Sequence, residues 1–200
     1  GMARAMLADP ELPNKALQGD SSKIRPCIGC NQGCLDSVFR LRPVSCLVNA
    51  EAGREAELGP IAPSSQPQKI LVIGAGSAGM EFARVAALRG HKVTIWEEKD
   101  HSGGQLSLAA APPGRKDFLY FGNYLRNACR ELGVTVEYQV QATPEKVLAA
   151  VEKGEFERVV IATGARPLTP AIKIEEGVEV LQAWDVLLGY KKTGRNVVIV

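Results

Sequence analysis

Short apolar runs alternate with helix-like segments through the second half of the chain. Two of these runs, at residues 69–73 and 157–162, predict strands buried on both faces, and two more predict strands at residues 91–96 and 134–139. The segments between the runs predict helices at residues 77–89, 117–132 and 144–153. Strands that alternate with helices at this spacing indicate parallel pairing, so the pattern predicts an α/β fold.

The pattern is weaker toward both ends of the chain. Residues 1–20 predict a helix interrupted by Pro10 and Pro13, and residues 21–58 show little periodicity. Residues 59–68 predict a linker because they are rich in proline and serine. Beyond the last of the four strands, the sequence predicts a short strand near residues 178–181, a short helix near 184–188 and a buried strand at 196–200.

The composition and net charge of the chain argue against some classes of function. The chain has 200 residues, of which 46% are hydrophobic and 23% charged, and its formal net charge is +2. This balance is typical of globular proteins and predicts no nucleic-acid-binding or membrane-binding surface. No apolar run approaches the length of a bilayer span, and the N-terminal residues lack the apolar core of a secretory signal. We therefore expect a cytoplasmic protein.

Four cysteines form the most specific motif of the chain. Cys27, Cys30, Cys34 and Cys46 have the spacing C-x2-C-x3-C-x11-C. Thiolates that converge in this way need a positive centre to offset their repulsion, and a metal or a cluster supplies it. The spacing differs from the paired C-x2-C knuckles of zinc ribbons and from the bacterial ferredoxin motif. We predict a four-iron, four-sulfur (4Fe-4S) cluster, with structural zinc or disulfides as the alternatives.

The residues around these cysteines agree with a bound cluster. Gly29 and Gly33 lie between the ligands, where they allow a tight backbone and bring N–H groups near the sulfurs. The absence of an export signal favours reduced thiols over disulfides. The fifth cysteine, Cys129, lies in a helix-like segment and is interpreted as a small buried apolar residue.

A glycine-rich string follows the first predicted strand. Gly74, Gly76 and Gly79 form G-x-G-x-x-G between a strand and a helix, which is the context that a dinucleotide-binding motif requires. Gly74 permits the turn, Gly76 lets a pyrophosphate approach the backbone, and Gly79 lets helix and strand pack closely. The helix N-terminus, with Ser77 and Ala78, offers N–H groups to the phosphates. The motif therefore predicts a Rossmann-like, three-layer nucleotide-binding domain.

An acidic residue completes the predicted nucleotide site. Glu97 ends the second strand, 18 residues beyond Gly79, where it can accept hydrogen bonds from ribose hydroxyls. Its charge would repel a 2′-phosphate, so an unphosphorylated adenosine ribose is favoured. Glu98 points to the opposite face of the strand and is interpreted as solvated. Ser77 is interpreted as a helix N-cap and not as a nucleophile.

Two further strings resemble a known flavoprotein family. The string GGQL contains Gly104, Gln105 and Leu106, and the string VIATGARP contains Ala162, Thr163 and Gly164. Together with GAGSAG they resemble the flavoproteins with two dinucleotide-binding domains. This resemblance implies FAD in the present domain, with the turn of Ala162–Gly164 closing over it and the GGQL residues near it.

The order of the cysteine motif and GAGSAG resembles the old-yellow-enzyme-related NADH:flavin oxidoreductases in particular. The resemblance implies that residues 1–20 are the end of a TIM barrel, 21–58 a cluster-binding segment and 59–68 a linker. It implies an incomplete FAD- or ADP-binding domain at 69–193 and the first strand of a second nucleotide-binding domain at 194–200. The missing parts of such a protein, the barrel and the second domain, would hold FMN and NAD(P)H.

The same resemblance implies an electron relay with no substrate-converting residue in this chain. Its parent protein is expected to reduce activated carbon–carbon double bonds with NAD(P)H. A second hypothesis is an amine dehydrogenase, in which this domain holds ADP and the cluster passes electrons to an electron-transfer flavoprotein. A third is a non-catalytic module that binds zinc and a nucleotide.

Overall fold

A parallel four-stranded sheet forms the centre of the protein. In the computed structural model, which describes residues 2–200, the strands lie in the order β3-β2-β1-β4 and every neighbouring pair is parallel. The strands are β1 (Lys69–Ile73), β2 (Lys92–Glu97), β3 (Thr135–Tyr138) and β4 (Arg158–Ile161). Each coincides with a predicted apolar run to within two residues. The predicted α/β fold is therefore confirmed.

Helices cover both faces of this sheet. The helices are α1 (Ala3–Ala8), α2 (Leu12–Leu17), α3 (Leu35–Phe39), α4 (Glu55–Leu58), α5 (Ser77–Leu88), α6 (Leu106–Ala110), α7 (Asp117–Glu131), α8 (Pro144–Glu152) and α9 (Ala183–Leu187). Ser21–Lys23 form one turn of 3-10 helix. The predicted interruption of the N-terminal helix occurs at Pro10, between α1 and α2, whereas Pro13 lies in the first turn of α2, where its missing N–H costs nothing.

The core has two layers, one on each side of the sheet. The larger layer packs β1 and β2 against α5 and α7, and at its centre Val72, Ile95 and Leu125 have no exposed surface. The smaller layer contains Leu71 and Trp96 of the sheet and Ala150 of α8. Successive residues of β1 face opposite layers, which explains why the continuous apolar run KILVI is buried on both sides.

Two predicted strands do not form. Residues 178–181 and 196–200 have no strand pairing within the described part of the chain, and Val198 and Ile199 are 88% and 91% exposed. An apolar run becomes a strand only when a neighbouring strand accepts its backbone hydrogen bonds, and neither segment has such a neighbour here. The short helix predicted near residue 184 is confirmed as α9. None of the helices in residues 2–200 has the length and apolar character needed to traverse a bilayer.

Candidate functional site

Three loops meet at the carboxyl edge of the parallel sheet. The Gly74 N–H donates to the Trp96 carbonyl at 2.8 Å, which ties the loop after β1 to the end of β2. The Gly103 N–H donates to the Ala75 carbonyl at 2.9 Å, which adds the loop after β2. The Ala162 N–H continues the β4 pairing to Ile73 at 2.9 Å. The glycine string, GGQL and the Ala162–Gly164 turn are thus brought together, as expected at the edge of such a sheet where ligands bind.

The three glycines of the string have different surroundings. Gly74 has a φ of +104°, and a Cβ there would lie 2.5 Å from the Ala162 carbonyl oxygen. A Cβ on Gly79 would overlap the Gly74 carbonyl oxygen. At Gly76 the nearest atom to a Cβ would be the Gly104 Cα at 3.9 Å. Two glycines therefore permit close packing of the protein, whereas Gly76 borders open space that a ligand could fill.

The first turn of α5 faces this open space. Gly76 is the N-cap and Ser77 is the first helical residue, so the interpretation of Ser77 as the N-cap was wrong. No side chain caps this end, and the first turn contains no acidic residue. The opening N–H groups of a helix have no acceptor within it, and the helix dipole makes this end positive. The turn could therefore hold an anionic phosphate.

Glu97 lies beside the glycine string, at the end of β2. Its side chain is only 7% exposed. One carboxylate oxygen accepts the Ala75 N–H at 2.7 Å and the other accepts the Lys99 N–H at 3.0 Å. The carboxylate therefore fixes the shape of the glycine loop, which the sequence did not indicate. Its predicted contact with a ribose stays a prediction. Glu98 is exposed, as expected.

The GGQL residues form the opposite wall of the open space. Gly104 has a φ of +54° and packs against Gly76, since a Cβ on it would lie 2.9 Å from the Gly76 Cα. The Gln105 amide donates to the Ala165 carbonyl at 3.1 Å, which joins GGQL to the turn that contains Thr163 and Gly164. Leu106 begins α6 and faces Gly122 of α7. These residues could enclose a nucleotide between α5 and the Ala162–Gly164 turn.

All four motif cysteines line one pocket. Cys27, Cys30, Cys34 and Cys46 are half-buried and line one small pocket that is partly open to solvent. The Ser45 N–H donates to the Gly33 carbonyl at 2.7 Å. This bond joins the two positions that precede Cys34 and Cys46, and so it brings the remote fourth cysteine back to the other three. The pocket lining includes no carboxylate.

The cysteine loop has a backbone suited to thiolate ligands. Gly29 adopts a φ of +65°, and its N–H points at the Cys27 sulfur at 3.4 Å, as predicted for the glycines between the ligands. A Cβ on Gly33 would lie 2.7 Å from the Ser45 carbonyl oxygen, so glycine is required there. Within residues 2–200 none of the cysteines is in a disulfide.

The distances between ligand side chains can be compared with those that a single metal ion requires. Among residues 2–200, no three Cys, His, Asp or Glu side chains are grouped closely enough to ligate a single ion. Sulfur ligands of tetrahedral zinc lie at about 2.3 Å from the metal, so their sulfurs must approach one another within about 4 Å. The type of centre that these thiols hold stays a prediction.

Cys129 differs from the motif cysteines. It is 2% exposed in α7, and its thiol donates to the Met80 carbonyl at 3.2 Å. Burial raises the pKa of this thiol to about 11. At about pH 8 the thiol is therefore protonated and unreactive, because only thiolates are good nucleophiles.

We expect iodoacetamide to alkylate the four motif cysteines of the metal-free chain at about pH 8 and to leave Cys129 unmodified. Peptide mass spectrometry before and after denaturation would measure this, because denaturation exposes Cys129 and lowers its pKa to the ordinary value. Alkylation of Cys129 in the folded chain at the rate of the other four would contradict its buried, protonated state.

Comparisons with known proteins agree with this arrangement. Residues 68–200 match the family described as pyridine nucleotide-disulphide oxidoreductase. The chain is 72% identical over 200 residues to a metal reductase of Desulforamulus reducens, covering all of this chain and 30% of that protein. It is 41% identical over 191 residues to an NADH oxidase of Thermoanaerobacter brockii, covering 94% of this chain and 29% of that protein.

A solved structure shares the fold of nearly the whole chain. The structure of 2-naphthoyl-CoA reductase in complex with 2-naphthoyl-CoA superimposes with a TM-score of 0.88 at 36% identity. The match covers 96% of this chain and 28% of that protein. The chain therefore spans about 30% of the length of the curated relatives it matches.

Proposed function

Because the chain belongs to the old-yellow-enzyme-related NADH:flavin oxidoreductases, in the pyridine nucleotide-disulphide oxidoreductase family, we propose that it is their electron-relay unit. In this proposal a 4Fe-4S cluster is held by Cys27, Cys30, Cys34 and Cys46, and FAD is held at the glycine string. The observation that carries the proposal is the convergence of all four thiols on one pocket next to the nucleotide-binding fold.

The cysteine pocket fits an iron–sulfur cluster by its donor set. Four thiols and no carboxylate line it, and iron–sulfur clusters are held by cysteine thiolates. The Gly29 N–H already points at a sulfur, and such hydrogen bonds tune the ligands. When bound, the cluster would supply the acceptance and release of single electrons. The protein would supply the four ligands and the apolar surroundings of Ile28 and Val48.

The nucleotide site fits a dinucleotide by its open cradle. Gly76 leaves room for a pyrophosphate at the first turn of α5, where N–H groups of Ser77, Ala78 and Gly79 would neutralise it. Glu97 would accept a ribose hydroxyl while keeping its bond to Ala75. Gln105, Leu106 and the Ala162–Gly164 turn would enclose the flavin end. A bound flavin would supply the conversion between hydride and single-electron transfer.

Helix α7 places the two proposed sites close together. Gly122 of α7 contacts Leu106, and Asp117 at the start of α7 lies 3.9 Å from the Cβ position of Gly29. Residues 117 and 122 are about 7.5 Å apart along a helix axis. The wall of the nucleotide site and the cysteine loop thus lie against the same two turns of one helix. This proximity supports a relay between the two groups.

The activity of the whole protein is part of the proposal. Similarity to 2-naphthoyl-CoA reductase and to an NADH oxidase supports NADH as the electron donor and an activated carbon–carbon double bond as the acceptor. The 72% identity to a metal reductase supports a second candidate acceptor, an oxidised metal ion. Supplying each acceptor separately to the intact protein with NADH would distinguish the two. Oxidation of an amine instead would favour the amine dehydrogenase hypothesis.

The predicted division of the chain is retained as a proposal. Residues 21–58 would form the cluster segment, 59–68 the linker and 69–193 the FAD- or ADP-binding domain. Residues 1–20 would adjoin a barrel that holds FMN, and residues 194–200 would lead into a domain for NAD(P)H. The cytoplasmic location and a possible electron-transfer flavoprotein partner are predictions from the sequence alone.

Anaerobic reconstitution with iron and sulfide tests the proposal. We expect about four irons per chain, the visible absorption of a cluster and one extractable adenine nucleotide. Chromatography of the extract separates FAD from ADP. Stoichiometric zinc without iron after this treatment would refute the cluster, and a chain without any bound or bindable adenine nucleotide would refute the nucleotide site.

A further inference from the structure

An arginine whose side chain is largely buried connects the two ends of the cysteine loop. Arg25 lies two residues before Cys27, and Asn49 lies three residues after Cys46. The Arg25 guanidinium donates to the Asn49 side-chain carbonyl at 3.0 Å. The arginine side chain is 11% exposed, and Asn49 is 4% exposed. A charge-assisted hydrogen bond between a largely buried arginine and a buried asparagine therefore closes the loop that contains all four thiols.

The same guanidinium attaches this loop to the nucleotide-binding domain. Its Nε donates to the Tyr124 hydroxyl of α7 at 3.3 Å, and the cation lies 5.5 Å from the centre of the Tyr124 ring. Another of its nitrogens lies 4.0 Å from the Glu81 carboxylate of α5. Helices α5 and α7 are the two that pack on the sheet beside the nucleotide site. One side chain thus contacts both helices and the far end of the loop.

Asp9 and Asn49 extend these contacts to the N-terminal arm, by which we mean the residues before the cysteine loop, 2–20. The Arg25 backbone N–H donates to the Asp9 carboxylate at 2.8 Å, and Asp9 is 4% exposed. The Asn49 amide donates to the Leu7 carbonyl at 2.9 Å. The arm, both ends of the cysteine loop and the nucleotide domain therefore meet at this one arginine. Lysine could not replace it fully, because only a guanidinium has a planar set of donors that can reach several acceptors at once.

We infer that Arg25 is a positioning residue, which holds the cysteine loop closed on α5 and α7 before and after the cluster binds. This inference rests on the proposed function for its purpose, which is a constant spacing between the cluster and the nucleotide. We call the contacts of Arg25 with Asn49, Tyr124 and Glu81 the Arg25 clamp. These contacts form in the chain without any cofactor. The clamp therefore can be tested separately from the cluster.

The first test is amide hydrogen exchange of the metal-free chain. We expect Arg25→Met to raise exchange of the backbone N–H groups of residues 25–34 and 45–49 about tenfold or more, because a buried charge-assisted contact is lost. Arg25→Lys should raise it less. The matched control is Arg89→Met, whose side chain is exposed at the end of α5. Exchange in Arg25→Met equal to that in Arg89→Met would overturn the clamp.

The second test uses the chain loaded with iron and sulfide. Arg25→Met should release iron to a chelator about tenfold faster than the Arg89→Met control, the lower end of the effect of groups that orient metal ligands. Its cluster should also have a more negative midpoint potential, since a nearby cation favours the reduced cluster. Arg25→Lys should restore the potential. An unaltered chain that takes up no iron would refute the proposed cluster and leave the exchange result to decide the clamp.

Discussion

Replacing Cys46 by serine is expected to lower the iron content of the reconstituted chain from about four to about one or fewer. Cys46 is the remote fourth ligand, and the Ser45–Gly33 hydrogen bond holds it at the pocket of the other three thiols. A serine hydroxyl is protonated near neutral pH and is a poor ligand for iron. The three remaining thiols would leave one iron of a cubic cluster without a protein ligand, so the cluster should be held weakly and its visible absorption should fall with the iron.

The matched control is Cys129→Ser, which changes the same atom outside the pocket. Cys129 is buried in α7 and bonds to the Met80 carbonyl, a contact that a serine hydroxyl can also make. The iron content of the Cys129→Ser chain should equal that of the unaltered chain. Both variants should be assayed for iron and zinc together. A Cys46→Ser chain that keeps its full iron content, or a Cys129→Ser chain that loses it, would contradict the assignment of ligands.

The fold was predictable because its signals are local. Each of the four strands coincides with a run predicted from the sequence, although only β1 and β2 are largely buried, and the glycine spacing of GAGSAG lies between a strand and a helix. The same local argument failed at residues 196–200. The run NVVIV has the composition of a buried strand, but pairing depends on a neighbouring strand that composition does not reveal.

Contacts between distant residues explain what the sequence did not reveal of the site. The position of Glu97 was predicted, but its bond to the Ala75 N–H was not. The Gly33–Ser45 bond and the Arg25–Asn49 bond each join residues more than ten positions apart. No periodicity or motif marks such pairs in one sequence. They decide how the cysteine loop closes, whereas the spacing of the cysteines indicates only which ligands it contains.

Replacing Gly76 by valine is expected to weaken binding of FAD or ADP about a hundredfold or more, while the fold is kept. No protein atom lies closer than 3.9 Å to a Cβ at this position, so the folded chain can accept a Cβ there, and thermal unfolding checks that the whole side chain is accepted. The branched side chain would fill the space beside the first turn of α5. A pyrophosphate would then lose at least two charge-assisted hydrogen bonds, each worth about 1.5–3 kcal/mol.

Two other glycine variants separate binding from folding. Gly194→Val is the matched control, because its Cβ would meet nothing within 4 Å and the residue lies outside the proposed site. Gly79→Ala should instead destabilise the chain, because its Cβ would overlap the Gly74 carbonyl oxygen. Titration calorimetry gives the affinities, and thermal unfolding followed by circular dichroism gives the stabilities. If Gly76→Val bound nucleotide as tightly as Gly194→Val, the pyrophosphate could not lie against Gly76 and the proposed nucleotide site would be refuted.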